Sequence, residues 1–444
     1  MKKSVPFQKV VVPWILLGSA GMLVWGALGL FSYAAHPEIL HIDAYDYHLA
    51  AKWWYLEYFR PHPTRMFGFS LLTGWITWWN TSFQAFRAVA VALNILCWLL
   101  TGTFLYQSGR LIFRENERFA YLLPAIFALQ IGNTVMVTQA VTESLYTFLL
   151  TLILWSMLSF QHEKRPAYWR LALAAFCFSL VVRPTAGIWL PVILPALLWW
   201  LWRRKLHFVQ NALFVFVCVL TLPGLQWMQM KTWYHTPVTS NIGLLTYYLY
   251  TDAYANVSAT APGASWHEKG QMWQQESKRR EALIGMGAHG VADVPDWVTA
   301  RDTMIGQCSQ TWLTHKKELA QSYLRNLVSN SVSGCMVVEF LADRCPEDPV
   351  RQRARWLFLL GRLQNAFSTL LLLSVAGWVL FMAVFRRKWP DVMGWAALFG
   401  TGIILASAIS FAQGDRFHMV LTPLTACWLA ILLYFVWKKL PGRS

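Results

Sequence analysis

The feature that most constrains the fold is a series of apolar stretches, each about as long as the roughly 20 residues that a helix needs to cross a bilayer. The bilayer core offers no partners for backbone hydrogen bonds, so stretches of this length cross it as α-helices. Of the 444 residues, 56% are hydrophobic and only 14% are charged. This composition excludes an ordinary soluble globule and predicts an all-α polytopic membrane protein.

The apolar stretches predict about ten transmembrane helices. Residues 66–79 are also apolar but too few to cross the bilayer comfortably, so we interpret them as interfacial or re-entrant. The acidic and aromatic residues 43–59 are expected to form another interfacial helix along the membrane surface. The predicted spans are residues 10–31, 86–106, 119–137, 144–160, 171–187, 188–202, 208–228, 367–385, 393–411 and 419–437.

Positive charge exceeds negative charge along the chain, with 38 Lys and Arg residues against 22 Asp and Glu residues and a formal net charge of +16. The basic residues collect at the ends of the predicted spans, as at Arg203 and Arg204. Membrane topology and anionic lipid explain such clusters, so we exclude nucleic acid as a partner. All the clusters fall on one side if both termini are cytoplasmic, which places the loops 32–85 and 231–356 outside.

This topology divides the chain into three parts. Residues 1–230 are expected to form an N-terminal transmembrane catalytic module, which includes the first external loop, 32–85. Residues 231–356 are expected to form an external soluble cap, and residues 357–444 the C-terminal transmembrane helices.

The cap is polar and is expected to be mostly helical, with helical stretches near residues 273–286 and 312–328. Cys335 and Cys345 lie in the same long segment. If the cap is exported to an oxidising compartment, these two cysteines could form a disulfide.

Ionisable residues next to the spans are the strongest candidates for chemistry, because charge at a membrane boundary costs free energy unless it faces water, a partner or a substrate. Asp43, Asp46, Tyr47 and His48 follow directly on the first span. At helical spacing, Asp43 and Tyr47 share one face. A carboxylate held where a lipid head group meets water is a candidate base; the alternative is that Asp43 or Asp46 only caps a short helix.

Four further ionisable residues lie next to predicted spans, on the predicted outer side of the membrane. Glu143 begins a predicted span and is a second candidate acid. The alternative is that it only stabilises the start of the helix through the helix dipole. Arg183 precedes Pro184 at an outward turn; a phosphate would bind it through two hydrogen bonds, and an ion pair with Glu143 is the structural alternative. Arg416 and His418 lie at the outer end of the last span, where they could bind phosphate or cap a hairpin.

The sequence contains no P-loop, GxGxxG or HExxH motif, and no close set of His and acidic residues suited to zinc. Chemistry on nucleoside triphosphates or nicotinamides therefore has no support. We expect no cofactor; a divalent metal is compatible with the acids, but no ligand motif supports one.

Several of these segments together resemble the GT-C superfamily of integral membrane glycosyltransferases, especially its clan of protein mannosyltransferases and aminoarabinose transferases (family 39-like). The likeness covers residues 10–204 and, more loosely, the last helices. Many relatives carry Asp-Glu where this chain has Asp43 followed by Ala44, so Asp43 and Asp46 both stay candidates for the base. The positions that carry the resemblance are Asp43, Tyr47, Arg65, Gly68, Glu143, Arg183, Arg416 and His418.

The resemblance implies an inverting glycosyltransferase of the bacterial inner membrane, which moves a sugar from a polyprenyl-phosphate-linked donor to a glycan, lipid or protein acceptor on the outer face. Asp43 would be the base, with Glu143 orienting the acceptor or sharing that role, and arginines would stabilise the leaving phosphate. The implied substrate-binding residues are Tyr47, His48, Arg65, Arg183, Arg416 and His418.

Two other functions fit the same residues. A lipid or sugar transporter would use the external acids and the intramembrane arginines as a translocation path, although the two halves of this chain show no repeat of the kind common in transporters. A ligase of lipid-linked glycans would move a whole oligosaccharide. Transfer of a labelled sugar in detergent separates an enzyme from a transporter, because only the enzyme turns over without a membrane gradient.

Overall fold

The computed structural model describes residues 7–30, 41–190, 194–195, 198–199, 202, 208–287, 290–344, 348–388, 390–410 and 414–439. Within these ranges the chain is almost entirely helical and contains no β-strand, which confirms the predicted fold class. The α-helices are α1 (Phe7–Ala27), α2 (His41–Leu56), α3 (Phe67–Thr73), α4 (Phe83–Ile112), α5 (Leu122–Ala128), α6 (Ile131–Met136), α7 (Glu143–Glu163), α8 (Pro166–Val182), α9 (Phe208–Val219), α10 (Leu225–Tyr234), α11 (Ile242–Thr246), α12 (Ala253–Thr260), α13 (Trp266–Leu283), α14 (Trp297–Thr314), α15 (Lys316–Val332), α16 (Met336–Arg344), α17 (Asp348–Phe385), α18 (Val392–Ser407) and α19 (Gly414–Lys438).

Five helical segments in the described ranges are long and apolar enough to cross a membrane: Phe83–Ile112, Glu143–Glu163, Phe208–Tyr234, Pro349–Phe385 and His418–Lys438. Shorter apolar helices cover Val11–Ala27, Pro166–Val182 and Val392–Ser407. All eight overlap predicted spans, because apolar runs of this length are a strong sequence signal. Seven of the 15 residues in the predicted span 188–202 lie outside the described ranges.

The prediction of one continuous span over residues 119–137 is wrong, because a 3₁₀ turn and the short helices α5 and α6 occupy this segment. One side chain from α17 binds the backbone at the break between the two helices. Gln364 accepts a hydrogen bond from the Ile131 amide at 3.3 Å and donates one to the Leu129 carbonyl at 2.9 Å. These bonds satisfy backbone groups that a helix break would otherwise leave unpaired in an apolar setting.

Residues 66–79 form α3 and a 3₁₀ helix, Gly74–Trp78, rather than one long helix. Both pack against α2, which lies where the sequence predicts the acidic and aromatic helix. At 7 and 5 residues, neither element reaches the roughly 20 residues that a spanning helix requires. This compact group holds the first of the acidic candidates.

The helices α4, α7, α8 and α19 share the main hydrophobic core, with α7 packed against the other three. A smaller core within the cap contains Tyr248, Trp297 and Met304. The cap helix predicted over residues 312–328 is two helices, because α14 ends and α15 begins at His315. The expected boundary at 356/357 falls inside the 38-residue helix α17.

The last part of the expected cap packs with the membrane helices. The buried residues Val337, Val338 and Leu341 of α16 belong to the main hydrophobic core, and α16 packs against α17. The proposed disulfide between Cys335 and Cys345 involves a residue outside the described ranges.

Candidate active site

The helix α2 carries the first two acids of the site. Asp43 lies in the first turn of α2, where a negative charge is favoured by the helix dipole. Asp46 and Tyr47 follow three and four residues later, so they lie on the same face as Asp43. Tyr47 is buried, and its hydroxyl lies 3.3 Å from the hydroxyl of Thr142, one residue before α7. The face of α2 that bears the acids therefore points toward the start of α7.

Arg65 reaches both acids of α2 from the turn that precedes α3. Its Nη2 donates to Asp43 Oδ1 at 2.5 Å and to Asp46 Oδ2 at 2.8 Å, and its Nε donates to the same Asp46 oxygen at 3.2 Å. The guanidinium also lies 5.1 Å from the centre of the Tyr47 ring. Arg65 thus uses the fork of its guanidinium to hold two carboxylates at once.

Glu143 and Arg183 come from adjacent ends of two neighbouring helices. Glu143 occupies the first turn of α7, and its side chain is only 1% exposed. Pro184 disfavours helical geometry at the residue before it, so α8 ends and Arg183 adopts an extended backbone. From there its Nη1 donates to Glu143 Oε1 at 3.1 Å.

Arg416, in the first turn of α19, joins the two groups of acids. Its Nη1 donates to Asp43 and its Nε donates to Glu143. Six side chains, which we call the ion network, are therefore connected without interruption. Its members are Asp43, Asp46, Glu143, Arg65, Arg183 and Arg416.

The network is balanced in charge and mostly buried, with three carboxylates and three guanidiniums. The Asp43 side chain is 22% exposed, more than any other member of the network. Since exposed atoms are those that a substrate can reach, Asp43 is the acid best placed to meet one.

The two acids of α2 differ in pKa. Burial alone would raise the pKa of Asp43, but Arg416 and Arg65 outweigh it and hold that pKa well below its usual value. Burial raises the pKa of Asp46, and the attraction of Arg65 does not fully offset it. Asp43 is therefore the more firmly ionised of the two.

The two histidines predicted at the site have contacts elsewhere. His48 lies 3.0 Å from the Thr81 carbonyl and packs its ring against Phe83 and Phe86. Burial lowers the pKa of His48, which favours its neutral form. His418 lies 3.2 Å from both the Thr369 hydroxyl and the Asn330 carbonyl. The structure thus gives both residues contacts between helices, and neither has a hydrogen bond to the ion network among the described contacts.

His62 supports the site but was not predicted as part of it. Its Nδ1 accepts hydrogen bonds from the Thr64 and Arg65 amides at 3.4 and 3.2 Å, and its ring stacks on Trp53 at 5.1 Å. The residue thereby shapes the turn that carries Arg65. Many turns contain a histidine near an arginine, so the sequence alone gave little signal.

Tyr250 brings the cap close to the network. Burial raises the pKa of its phenol, and the charges of Asp43 and Arg416 act on it in opposite directions. Its ring lies 5.6 Å from that of Trp273 on α13. About 200 residues separate Tyr250 from Asp43, so no spacing rule could have linked them.

The ranges described by the structure contain no group of three or more His, Cys, Asp or Glu side chains arranged to hold a metal ion. The acids of the ion network point instead at guanidiniums, which contact both oxygens of Asp43 and one oxygen each of Asp46 and Glu143. What the arrangement offers chemically is a partly exposed carboxylate beside several cationic hydrogen-bond donors.

Comparison with known proteins gives a family match over part of the chain. Residues 62–227 match the family model described as dolichyl-phosphate-mannose-protein mannosyltransferase. This region contains Arg65, Glu143 and Arg183, and it begins after Asp43 and ends before Arg416. A search of curated proteins found no match.

Two solved structures of ArnT from Cupriavidus metallidurans are also similar to the chain. The one bound to undecaprenyl phosphate has 12% sequence identity and a TM-score of 0.35, and the match covers 92% of this chain and 77% of that one. The apo structure has 13% identity and a TM-score of 0.32, with coverage of 90% and 76%.

The family match confirms the resemblance to GT-C membrane glycosyltransferases that the motifs predicted. Together with the long apolar helices, it supports an integral membrane protein with a glycosyltransferase region. Residues 62–227 are thus the part of the chain that resembles a family of lipid-phosphate-dependent sugar transferases.

Proposed function

We propose that the chain is an inverting glycosyltransferase that transfers a hexose or a pentose from a polyprenyl-phosphate-linked donor to an acceptor on the outer face of the membrane. The family description names a lipid-phosphate-linked sugar donor. The apolar helices provide an environment suited to a prenyl tail. The observation that carries the proposal is that Arg416 contacts both Asp43 and Glu143, so that base and cation meet at one point.

In the proposed reaction, the acceptor hydroxyl gives its proton to Asp43 while its oxygen forms a bond to the anomeric carbon of the donor sugar. The bond between that carbon and the phosphate oxygen breaks, and the electron pair leaves with the prenyl phosphate. Attack from the face opposite the leaving group inverts the anomeric centre. Glu143 orients the acceptor or Arg416 through its ion pairs.

Arg65, Arg183 and Arg416 stabilise the negative charge that develops on the leaving phosphate. Guanidiniums at this position perform the neutralisation that a divalent metal performs in other transferases. We therefore propose a reaction without a metal cofactor, in which the Tyr47 ring packs beside the Arg65 guanidinium and keeps it near the site.

The test is the Asp43→Asn variant, which keeps the shape of the side chain but cannot take up the acceptor proton. We expect transfer of a labelled sugar from a polyprenyl-phosphate donor to fall by about 10²- to 10⁴-fold, with normal expression. Glu57→Gln, at an exposed ion pair just beyond the end of α2, is the control and keeps its activity. Turnover of Asp43→Asn near the wild-type rate would exclude Asp43 as the base.

A further inference from the structure

The charge balance of the ion network limits how an anionic donor can bind. Arg65 contacts two carboxylates, Arg416 contacts two, and Arg183 contacts Glu143. Three negative and three positive groups therefore balance before any substrate is present. A sugar linked to a prenyl chain through a phosphodiester adds one negative charge. The site with bound donor therefore carries one uncompensated negative charge.

An uncompensated negative charge costs free energy at this mostly buried site. No side chain of the network is more than 22% exposed, so water screens these charges weakly. Burial of an unbalanced charge is normally avoided by a change of protonation. The filled site should therefore gain a positive charge, either as a proton or as a cation.

The ion pairs distinguish which acid would take up a proton. Asp43 has two guanidinium partners, Arg65 and Arg416, and Glu143 also has two, Arg416 and Arg183. Among the described residues, Asp46 forms an ion pair with Arg65 alone. If a phosphate draws one guanidinium away, Asp43 and Glu143 each keep another, whereas loss of Arg65 leaves Asp46 with none.

We propose that binding of the donor phosphodiester is coupled to the uptake of one proton by Asp46. This inference rests on the proposed function, because it takes the donor to be a lipid phosphodiester. Arg65 moves its hydrogen bonds from the carboxylates of α2 to the phosphate, and Asp46 becomes a neutral acid. Asp43 loses part of its cationic clamp in the same step and becomes a better base.

The surroundings of Asp46 agree with this role. The charges that act on its carboxyl are those of Arg65 and Asp43, and Asp43 adds to the effect of burial in raising its pKa. The elements α3 and Gly74–Trp78, which pack against α2, carry no acidic or basic side chain. The helix α4 also packs against α2 and carries Arg87 and Arg110, and α2 itself carries Lys52, but none of these three acts on the Asp46 carboxyl. Among the groups on these elements, no cation is placed to replace Arg65.

Proton uptake has a defined sign in a binding experiment. The affinity for the donor falls as the pH rises between the pKa of Asp46 in the free protein and its higher pKa in the complex. At its steepest the affinity falls by about tenfold per pH unit, because one proton is linked to one bound ligand.

The experiment measures binding of the methyl ester of undecaprenyl phosphate to the full chain in detergent between about pH 5 and 8. This probe is a phosphodiester, so it keeps a single charge throughout, whereas a phosphate monoester titrates near pH 6. Calorimetry in buffers with different ionisation enthalpies counts the protons directly on the unaltered protein. We expect uptake approaching one proton per bound probe within the steep region.

Variants locate the proton. Asp46→Asn is already neutral, so its affinity should be independent of pH and should exceed that of the wild type at the upper end of the range. Glu57→Gln, the exposed control near the same helix, should keep the wild-type pH dependence. Zero proton uptake by the wild type, or loss of binding on removal of divalent cations with EDTA, would overturn the inference. Absence of binding at every pH would instead contradict the proposed function.

Discussion

At the scale of single residues, helical geometry explains which of the predicted site residues meet. Asp46 and Tyr47 follow Asp43 by three and four residues and share its face, whereas His48 follows by five and points elsewhere. His418 likewise lies two residues beyond Arg416, on another side of α19. The motifs placed the charged residues and the two histidines in one predicted site. Helical spacing alone would have separated His48 and His418 from the charged residues.

The sequence raised the ion pair between Arg183 and Glu143 as one alternative, but it could not provide the other long-range pairs of the site. The link between Arg65 and Asp46, and the two contacts of Arg416, join residues that lie on different elements. Spacing rules act within one helix and carry no information about such pairs. Only the shared outer side of the segments suggested that they meet.

Arg183 provides a prediction at this scale. Arg183→Ala should raise the donor KM by roughly 10- to 100-fold, because it removes a charge-assisted hydrogen bond to the phosphate, and it should change the acceptor KM much less. Steady-state kinetics with each substrate varied in turn measure the difference. Arg165→Ala removes an arginine from an exposed ion pair with Glu163 and is the matched control. An unchanged donor KM would mean that Arg183 only supports Glu143.

At the scale of elements, the type and position of the long apolar helices were predictable, whereas their full lengths and their interruptions were not. At the break between α5 and α6 the backbone binds Gln364, a residue more than 200 positions away. Residues 119–137 are apolar enough overall to predict one span, although the polar residues Gln130, Asn133 and Thr134 lie at the break. These local residues do not reveal the distant side chain that binds there.

The contact between α3 and α8 gives a second prediction, since α3 follows directly on the turn that carries Arg65. A Cβ at Gly68 would lie 2.7 Å from the Val181 carbonyl oxygen, which is backbone and cannot rotate away. Gly68→Ala should therefore destabilise the protein by about 1–3 kcal/mol. Thermal unfolding in detergent measures the loss.

Gly18→Ala is the control for this variant, because Gly18 also lies in a helix but a Cβ there meets nothing within 4 Å. It should leave the melting temperature unchanged or raise it slightly, since alanine favours a helix. Equal melting temperatures for the two variants would show that α3 can shift away from α8 without loss of stability.

At the scale of the whole molecule, the transferase and the transporter make opposite predictions. Five ion pairs connect the six side chains of the ion network in one continuous line, which places three guanidiniums together and is suited to neutralising a leaving group in place. We therefore expect the purified protein in detergent micelles to transfer sugar at a steady rate without any gradient. Radiolabelled donor and chromatographic separation of the product measure this rate. Uptake into sealed vesicles, with no turnover in micelles, would favour the transporter.

The burial of α16 in the main core affects how the cap can be exchanged with that of a relative. A chimaera that replaces the whole segment from α11 to α16 would remove Val337, Val338 and Leu341 and leave a gap among the membrane helices. The excised segment would expose those side chains as a hydrophobic patch and would tend to aggregate. Seams placed around α11 to α14 would transplant the smaller core and leave the buried side chains of α16 in the main core.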